Sequence, residues 1–229
     1  MRRNHRVFLI VTFLVLAALS CQLGTALGGG TPEATGTNAP EQGNVILEDD
    51  FSSSDWGTGT DPDSSLEYAN EALQMIIFTK NYFVWSVPND EDYNSTHMEV
   101  TATNNNSDPT TAFGIICHQQ VTSDSFYYFA ITPAGQYAIA KAAAPQKDVF
   151  LTNNNQWQYS DFVQANAPSY RIGADCGNGT LTLYVDGQQV DSVSDTTYTD
   201  GGVALFVWSG EDVASANVTF DDFLMKELP

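Results

Sequence analysis

At 229 residues with 42% hydrophobic content, the chain carries enough apolar material for one sizeable core, and a single folded domain is the expectation. Eight basic residues against 28 acidic ones give a formal net charge of −20, which repels phosphate backbones and anionic lipid headgroups and excludes nucleic acid as a partner. Neutral glycans and cations stay compatible with such a surface.

The chain opens with Arg2, Arg3 and Arg6 ahead of an apolar run over residues 7–19. The run is too short to span a bilayer comfortably and has the charge pattern of an export signal. It stops at Ala18-Leu19-Ser20-Cys21, which resembles a bacterial lipobox, where the cysteine takes lipid and becomes the mature amino terminus. That resemblance implies a lipoprotein signal peptide over residues 1–21, lipidation at Cys21, and an extracytoplasmic place in the cell envelope, with the membrane touched only through the lipid anchor. Ordinary secretion and an uncleaved anchor are the alternatives. Residues 22–44, rich in Gly, Thr, Ala and Pro without periodicity, read as a flexible, disordered linker, which leaves 45–229 as the domain.

Residues 45–51, VILEDDF, read as a first strand ending in acids. A Ser/Asp/Gly loop over 52–65 follows, with Trp56 expected to lie over the core. Two strands occupy 66–79 around a break at Asn70-Glu71, where Leu73, Met75 and Ile77 alternate with Gln74, Ile76 and Phe78. An aromatic strand over 82–87 is ended by Pro88-Asn89-Asp90. THMEVTAT, residues 96–103, alternates again before the turn cluster 104–109. Residues 113–120 and 125–132 form a hairpin, 136–142 the next strand, and 149–167 a longer polar region with Trp157, Tyr159 and Phe162. In 170–192, YRIGADCGNGTLTLYVDGQQVDS, two glycine turns separate three runs of an antiparallel meander. Strands over 203–208 and 216–226 complete the series. About twelve short strands at spacings near ten residues, with no helical period and no internal repeat, indicate an all-β, antiparallel β-sandwich.

With Cys21 assigned to lipid, Cys117 and Cys176 remain as a pair in an oxidising compartment. A disulfide is the economical reading, and two buried free thiols are the alternative. Each cysteine sits late in a strand, so the two strands are expected to be neighbours in one sheet. Alternation then puts Phe113, Ile115 and Cys117 inside, and Ile116, His118 and Gln120 on the opposite face together with Arg171, Gly173 and Asp175. By the same parity Trp208 faces out if Leu205 and Val207 face in, while FYYF at 126–129 has no preferred parity.

The arginine-bearing strand, the tight glycine turn and the run LTLYVDGQQV resemble the carboxy-terminal half of a concanavalin A-like or laminin-G-like jelly roll, and the likeness extends over residues 45–229. It implies a concanavalin A-like lectin/glucanase sandwich and a glycan ligand. Glucanases of that fold carry E-x-D-x-x-E on one strand. Here HMEVTAT has a lone Glu99, with Thr101 and Thr103 where partner carboxylates would be needed. No G-x-S-x-G elbow occurs, and His97 and His118 are too few for an ordinary zinc site.

The chain is therefore expected to be a non-catalytic, carbohydrate-binding domain and a monomer. Sugar sites on such sandwiches use aromatic rings and neutral hydrogen-bonding groups, which nominates Trp85, Tyr128 and Trp208 as platforms and His118, Gln120 and Arg171 as polar partners. Tyr82, Tyr127 and Trp157 share that candidacy. A structural or adhesive protein-interaction domain and a divergent glycan-active hydrolase are the alternatives. The resemblance also implies one structural calcium between the first and last strands, from Glu48-Asp49-Asp50-Phe51 and Phe220-Asp221-Asp222-Phe223. Asp221 would be its main ligand, with Asp50 and Asp49 nearby and a carbonyl around Glu71. Otherwise these acids merely cap strands in solvent.

Overall fold

The computed structural model describes residues 43–53, 55–212 and 215–229. The leader, Cys21 and the linker as far as residue 42 lie outside the described residues. Among the described residues, sixteen strands follow in chain order. The first six are β1 (Val45–Asp49), β2 (Gly59–Thr60), β3 (Ser64–Ala69), β4 (Ala72–Ile77), β5 (Phe83–Ser86) and β6 (Ser95–Asn104). Then come β7 (Ala112–Gln120), β8 (Ser125–Thr132), β9 (Gln136–Ala143), β10 (Val149–Phe150) and β11 (Gln158–Tyr159). The last five are β12 (Tyr170–Gly177), β13 (Thr180–Val185), β14 (Gln188–Ser194), β15 (Gly202–Trp208) and β16 (Ala216–Glu227). The two-residue strands β2, β10 and β11 lie in stretches whose composition reads as loop.

They form two antiparallel sheets. The first runs β14-β13-β12-β6-β16-β4-β3-β2, with β1 also on β16; the second runs β10-β9-β8-β7-β15-β5, with β11 also on β9. The meander read from residues 170–192 is strands β12 to β14, turned at Asn178-Gly179 and Asp186-Gly187. All four turn residues have positive φ (53°, 72°, 50° and 75°), the backbone that two-residue hairpins demand and that Asn, Asp and Gly tolerate. Asn70 and Glu71 turn β3 into β4 in the same way.

The core lies between the sheets, and the first sheet fills its side of it by strict alternation: β4 and β6 bury every second residue. β16 is shared lengthwise, pairing with β4 over residues 216–220 and with β1 over 223–226. A bulge between Asp221 and Leu224 separates the two halves, with Asp222 at φ 50°. The extra residue shifts the parity, so Phe220 and then Phe223 and Met225 all face the core. Trp56 packs edge-on against Phe223 at 5.0 Å and is buried, the lid the loop composition implies.

Cys117 and Cys176 form the expected disulfide, with their Cα atoms 6.5 Å apart. The expectation that β7 and β12 are neighbours in one sheet is corrected: β7 is in the second sheet and β12 in the first. Both cysteines point inward, so the bond crosses the core between the layers. The face opposite each cysteine is consequently a different outer surface, and Arg171 cannot share a surface with Ile116.

Replacing both cysteines by alanine (Cys117→Ala with Cys176→Ala) is expected to lower the unfolding free energy by about 2–5 kcal/mol with strand content retained. A denaturant titration that gives the variant the parent's stability would rule that contribution out.

Candidate functional site

The two sheets differ in what their strands show to solvent. In β7, β8 and β15 nearly every residue is buried, so the second sheet is apolar on both faces. Phe113, Ile115, Tyr127, Phe129, Leu205 and Val207 face the core. Their neighbours Ile116, Phe126, Tyr128 and Phe206 form a second cluster on the outer face.

That outer face is a groove of about 890 Å³. Ala112, Ala130 and Ala142 are among the small residues that line it, while Phe83, Trp85, Phe126, Tyr128, Phe206 and Trp208 supply rings from β5, β8 and β15, and Phe150 and Trp157 add two more beside β9. The rings hold one another: Phe83 stacks on Phe206 at 4.9 Å and 10°, and Tyr128 meets Phe206 edge-on at 5.6 Å. Trp85 keeps 37% of its surface exposed, large for a tryptophan next to a packed cluster. Gly114 lies beside these rings because a side chain there would run into the Phe129 carbonyl of the neighbouring strand.

Polar groups ring the groove. Asn81, Gln136, Gln146, Asn155 and Gln156 offer carboxamides, and Asp124, Asp148 and Glu211 offer carboxylates. The Tyr128 hydroxyl donates to Asp148 Oδ2 at 2.9 Å, which fixes the ring. Burial, with the Asp148 charge behind it, pushes that hydroxyl far above the ordinary tyrosine range, so it serves as a neutral donor.

Of the residues nominated from the sequence, the groove contains Trp85, Tyr128, Trp208 and Trp157. Tyr127 points the other way, into the core, where its hydroxyl bonds Asp195 Oδ1. His118 is not on the outer face. A bulge between Cys117 and Gln120, with His118 at φ 49°, turns its ring inward beside the disulfide, 96% buried and 6.0 Å from Tyr127. Its Nδ1 donates to the Tyr198 carbonyl at 3.1 Å, and burial lowers its pKa. Gln120 Nε2 donates to the carbonyls of His118 and Asp200 at 3.0 and 2.6 Å, tying the end of β7 to the chain before β15. Phe83, Phe126, Phe206 and the three acids of the rim were not singled out by residue type. For Phe126 and Phe206 the signal was the uninterrupted apolar runs SFYYFAIT and GVALFVW, since a sheet with one solvated face would alternate.

Arg171 lies on the outer surface of the first sheet, in a chain of charges across β6, β12 and β13. Its Nε and Nη2 donate to Glu99 Oε2 at 3.2 and 3.1 Å, and its Nη1 to Thr101 and the Asp222 carbonyl. His97 bridges Glu99 Oε1 at 3.2 Å and Asp175 Oδ1 at 2.6 Å, and Tyr184 donates to the other Asp175 oxygen at 2.7 Å. The bond to Asp175, then that to Glu99, holds the imidazole charged and raises its pKa to about 9. The bond to His97, with Arg171 behind it, holds Glu99 at about 2. Glu99 is thus occupied structurally, and it is far from the groove by being on the other sheet.

The acids nominated for calcium each accept hydrogen bonds within the fold. Asp50 Oδ1 accepts from the Ser52 amide and hydroxyl, Asp221 Oδ1 from the Asp222 amide, and both Asp49 oxygens from Phe51 and Trp56. The Arg171 guanidinium shares the depression that Asp50 lines. Among the described residues, one group of three metal-ligand side chains comes together, Cys117, His118 and Cys176, and its sulfurs are joined as the disulfide.

No protein-family model matches the sequence, and no curated protein sequence matches it. Solved structures do. A carbohydrate-binding module, CBM66, from Bacillus subtilis is similar with a TM-score of 0.59 at 12% identity, over 76% of this chain and 96% of that one. A protein of unknown function with a galectin-like fold, also from Bacillus subtilis, has a TM-score of 0.58 at 10% identity, over 82% and 97%. The catalytic domain of an endo-1,3-beta-glucanase (laminarinase) from Thermotoga petrophila RKU-1 has 0.56 at 9%, over 82% and 98%. The fold is accordingly the galectin-like, concanavalin A-like jelly roll that the meander resembles.

The charge chain on the first sheet has a defined pH window. His97, raised in the fold, stabilises fully below its unfolded value near 6.5 and loses that contribution as pH climbs through about 9. Glu99, depressed in the fold, stabilises above its unfolded value near 4.5 and loses that contribution as pH falls toward about 2. Stability should therefore plateau between these unfolded values. The alkaline limb, of about 1–2 kcal/mol after solvent screening, should vanish in His97→Gln. Parallel pH–melting curves for the two proteins above neutrality would contradict the assignment.

Proposed function

We propose that this chain is a non-catalytic glycan-binding domain, carried outside the cytoplasm on a lipid anchor, and that the sugar lies on the outer face of the second sheet. The observation that carries this reading is the groove itself: a floor of rings packed on one another, with Trp85 and Trp208 in its lining and carboxamides at its rim. A pyranose has an apolar face and a polar rim, and a ring platform bordered by neutral hydrogen-bonding groups complements both. The similarity to a carbohydrate-binding module and to a laminarinase catalytic domain supports a glycan as the ligand.

Support for a binding role over hydrolysis comes from where the acids stand. Glu99 belongs to the opposite surface, and the groove's Asp124, Asp148 and Glu211 come from three separate connections, not from one strand. Retaining and inverting hydrolysis both require two carboxyl groups held at a set separation across one bond.

A glycan array is the direct test. Selective binding is expected, with affinity lowered about tenfold or more by Trp208→Ala and by Trp85→Ala. Silence on every glycan would favour a protein-interaction scaffold, and turnover abolished by replacing one carboxylate would favour a hydrolase. The anchor is tested separately. Cys21→Ser should move the exported protein from the detergent phase to the aqueous phase, and an unchanged partition would remove the lipid.

A further inference from the structure

We propose that the groove is built for a glycan bearing free amino groups, an oligomer of unacetylated hexosamine. This rests on the reading of the groove as a sugar site and specifies the charge of its ligand.

Every ionisable side chain of the lining other than Tyr128 is acidic. Asp124, Asp148 and Glu211 line it, and among the described residues no lysine, arginine or histidine does. Lys80 and Lys147 each follow or precede a lining residue in the chain, yet neither enters the groove. A site for uronate, sialate or sulfated sugar would present a basic partner for the anion; here an anion would meet three carboxylates and no cation. Cations are favoured twice over. They are attracted by the carboxylates and by the faces of aromatic rings, of which the lining has eight.

The acids also have a useful arrangement. Asp124 directly precedes β8, whose first residue Ser125 pairs with Ala143, and Asp148 follows the same end of β9. Glu211 follows Trp208, which pairs with Ala112 at the opposite end of β7. Carboxylates therefore stand at both ends of the outer face; along β8 the seven steps from Asp124 to Ile131, which pairs with Phe113 next to Ala112, span about 23 Å at the rise of a strand. The rings lie between them. That layout suits an extended chain that stacks its sugar faces in the middle and carries amines toward each end. Asp124 and Glu211 make no hydrogen bond to another side chain among the described residues, so they remain available to a ligand, whereas Asp148 already holds Tyr128.

Calorimetric titration of the purified, folded domain would use three probes of matched length: a glucosamine oligomer, its N-acetylated counterpart and a galacturonate oligomer, each at low and at physiological salt. The expected result is binding of the glucosamine oligomer about tenfold tighter than of the N-acetylated one at low salt, with the margin shrinking as salt rises, and no binding of galacturonate. The Asp124→Asn, Glu211→Gln double variant should reduce the ratio of the two affinities about fivefold, because each exposed pair is worth a fraction of a tenfold factor. Asn tolerates the positive φ of position 124, so the turn is preserved. Equal or tighter binding of the N-acetylated oligomer, independent of salt, would overturn the amine preference while leaving a sugar site in place. Binding of galacturonate would overturn it too. If none of the probes binds, and a wider array of neutral glycans is silent as well, the sugar site itself falls and the preference with it.

Discussion

A β-strand points successive side chains to opposite faces, so a sheet with one core can bury only half of its residues. The second sheet breaks that limit. β7, β8 and β15 are apolar at both parities, and their outer residues cannot reach the core that Phe113, Tyr127 and Leu205 share. They must either be covered by something or expose oily surface. The chain covers them partly itself, with Phe150 and Trp157 leaning over β9, and leaves the remainder as a groove with Trp85 at its open side. The groove is thus a consequence of composition: a doubly apolar sheet in a sandwich of two sheets among the described residues.

The disulfide sets which face is which. Because Cys117 and Cys176 point at each other through the middle, every residue of their parity faces the core and every neighbour faces one of two opposite exteriors. This explains why so much was legible and why one inference went astray. Alternation identified Ile115 and Cys117, Ile172 and Cys176, Leu205 and Val207 as interior, and Trp208 as exterior. Two cysteines in a sequence carry no information on whether they meet within a sheet or between sheets, so Arg171 was joined to the wrong surface.

Bulges account for the other losses. Period-two reasoning holds only while no residue is inserted, and insertions occur at Cys117–Gln120 and Asp221–Leu224. The first carries His118 from the exterior into the core beside Tyr127; the second brings Phe223 inward and leaves Asp222 at a kink whose carbonyl accepts from Arg171. A non-glycine residue at positive φ inside a run of apolar residues has no compositional mark, unlike Asn178-Gly179 or Asp186-Gly187, where the residue types announce the turn. FYYF lacked a parity for a different reason: four aromatic residues are equally content on either face. What separates them is the Asp195 carboxylate, which Tyr127 alone can reach, and which lies 68 residues further along the chain.

The two outer surfaces also treat charge differently, and the difference decides which of them can bind. On the first sheet the acids are satisfied by the fold: Glu99 by Arg171 and His97, Asp175 by His97 and Tyr184. A ligand arriving there would have to displace bonds already made, at the cost of stranding a charged partner. On the second sheet the rim acids come from turns with few internal obligations, above rings that already pack on one another and need no rearrangement. A surface whose apolar groups are fixed, and whose rim keeps polar groups such as Asp124 and Glu211 unengaged by other side chains, loses little order when it takes a ligand. On that physical ground the groove is the better suited of the two faces to take a ligand, and the more heavily charged surface opposite serves the framework.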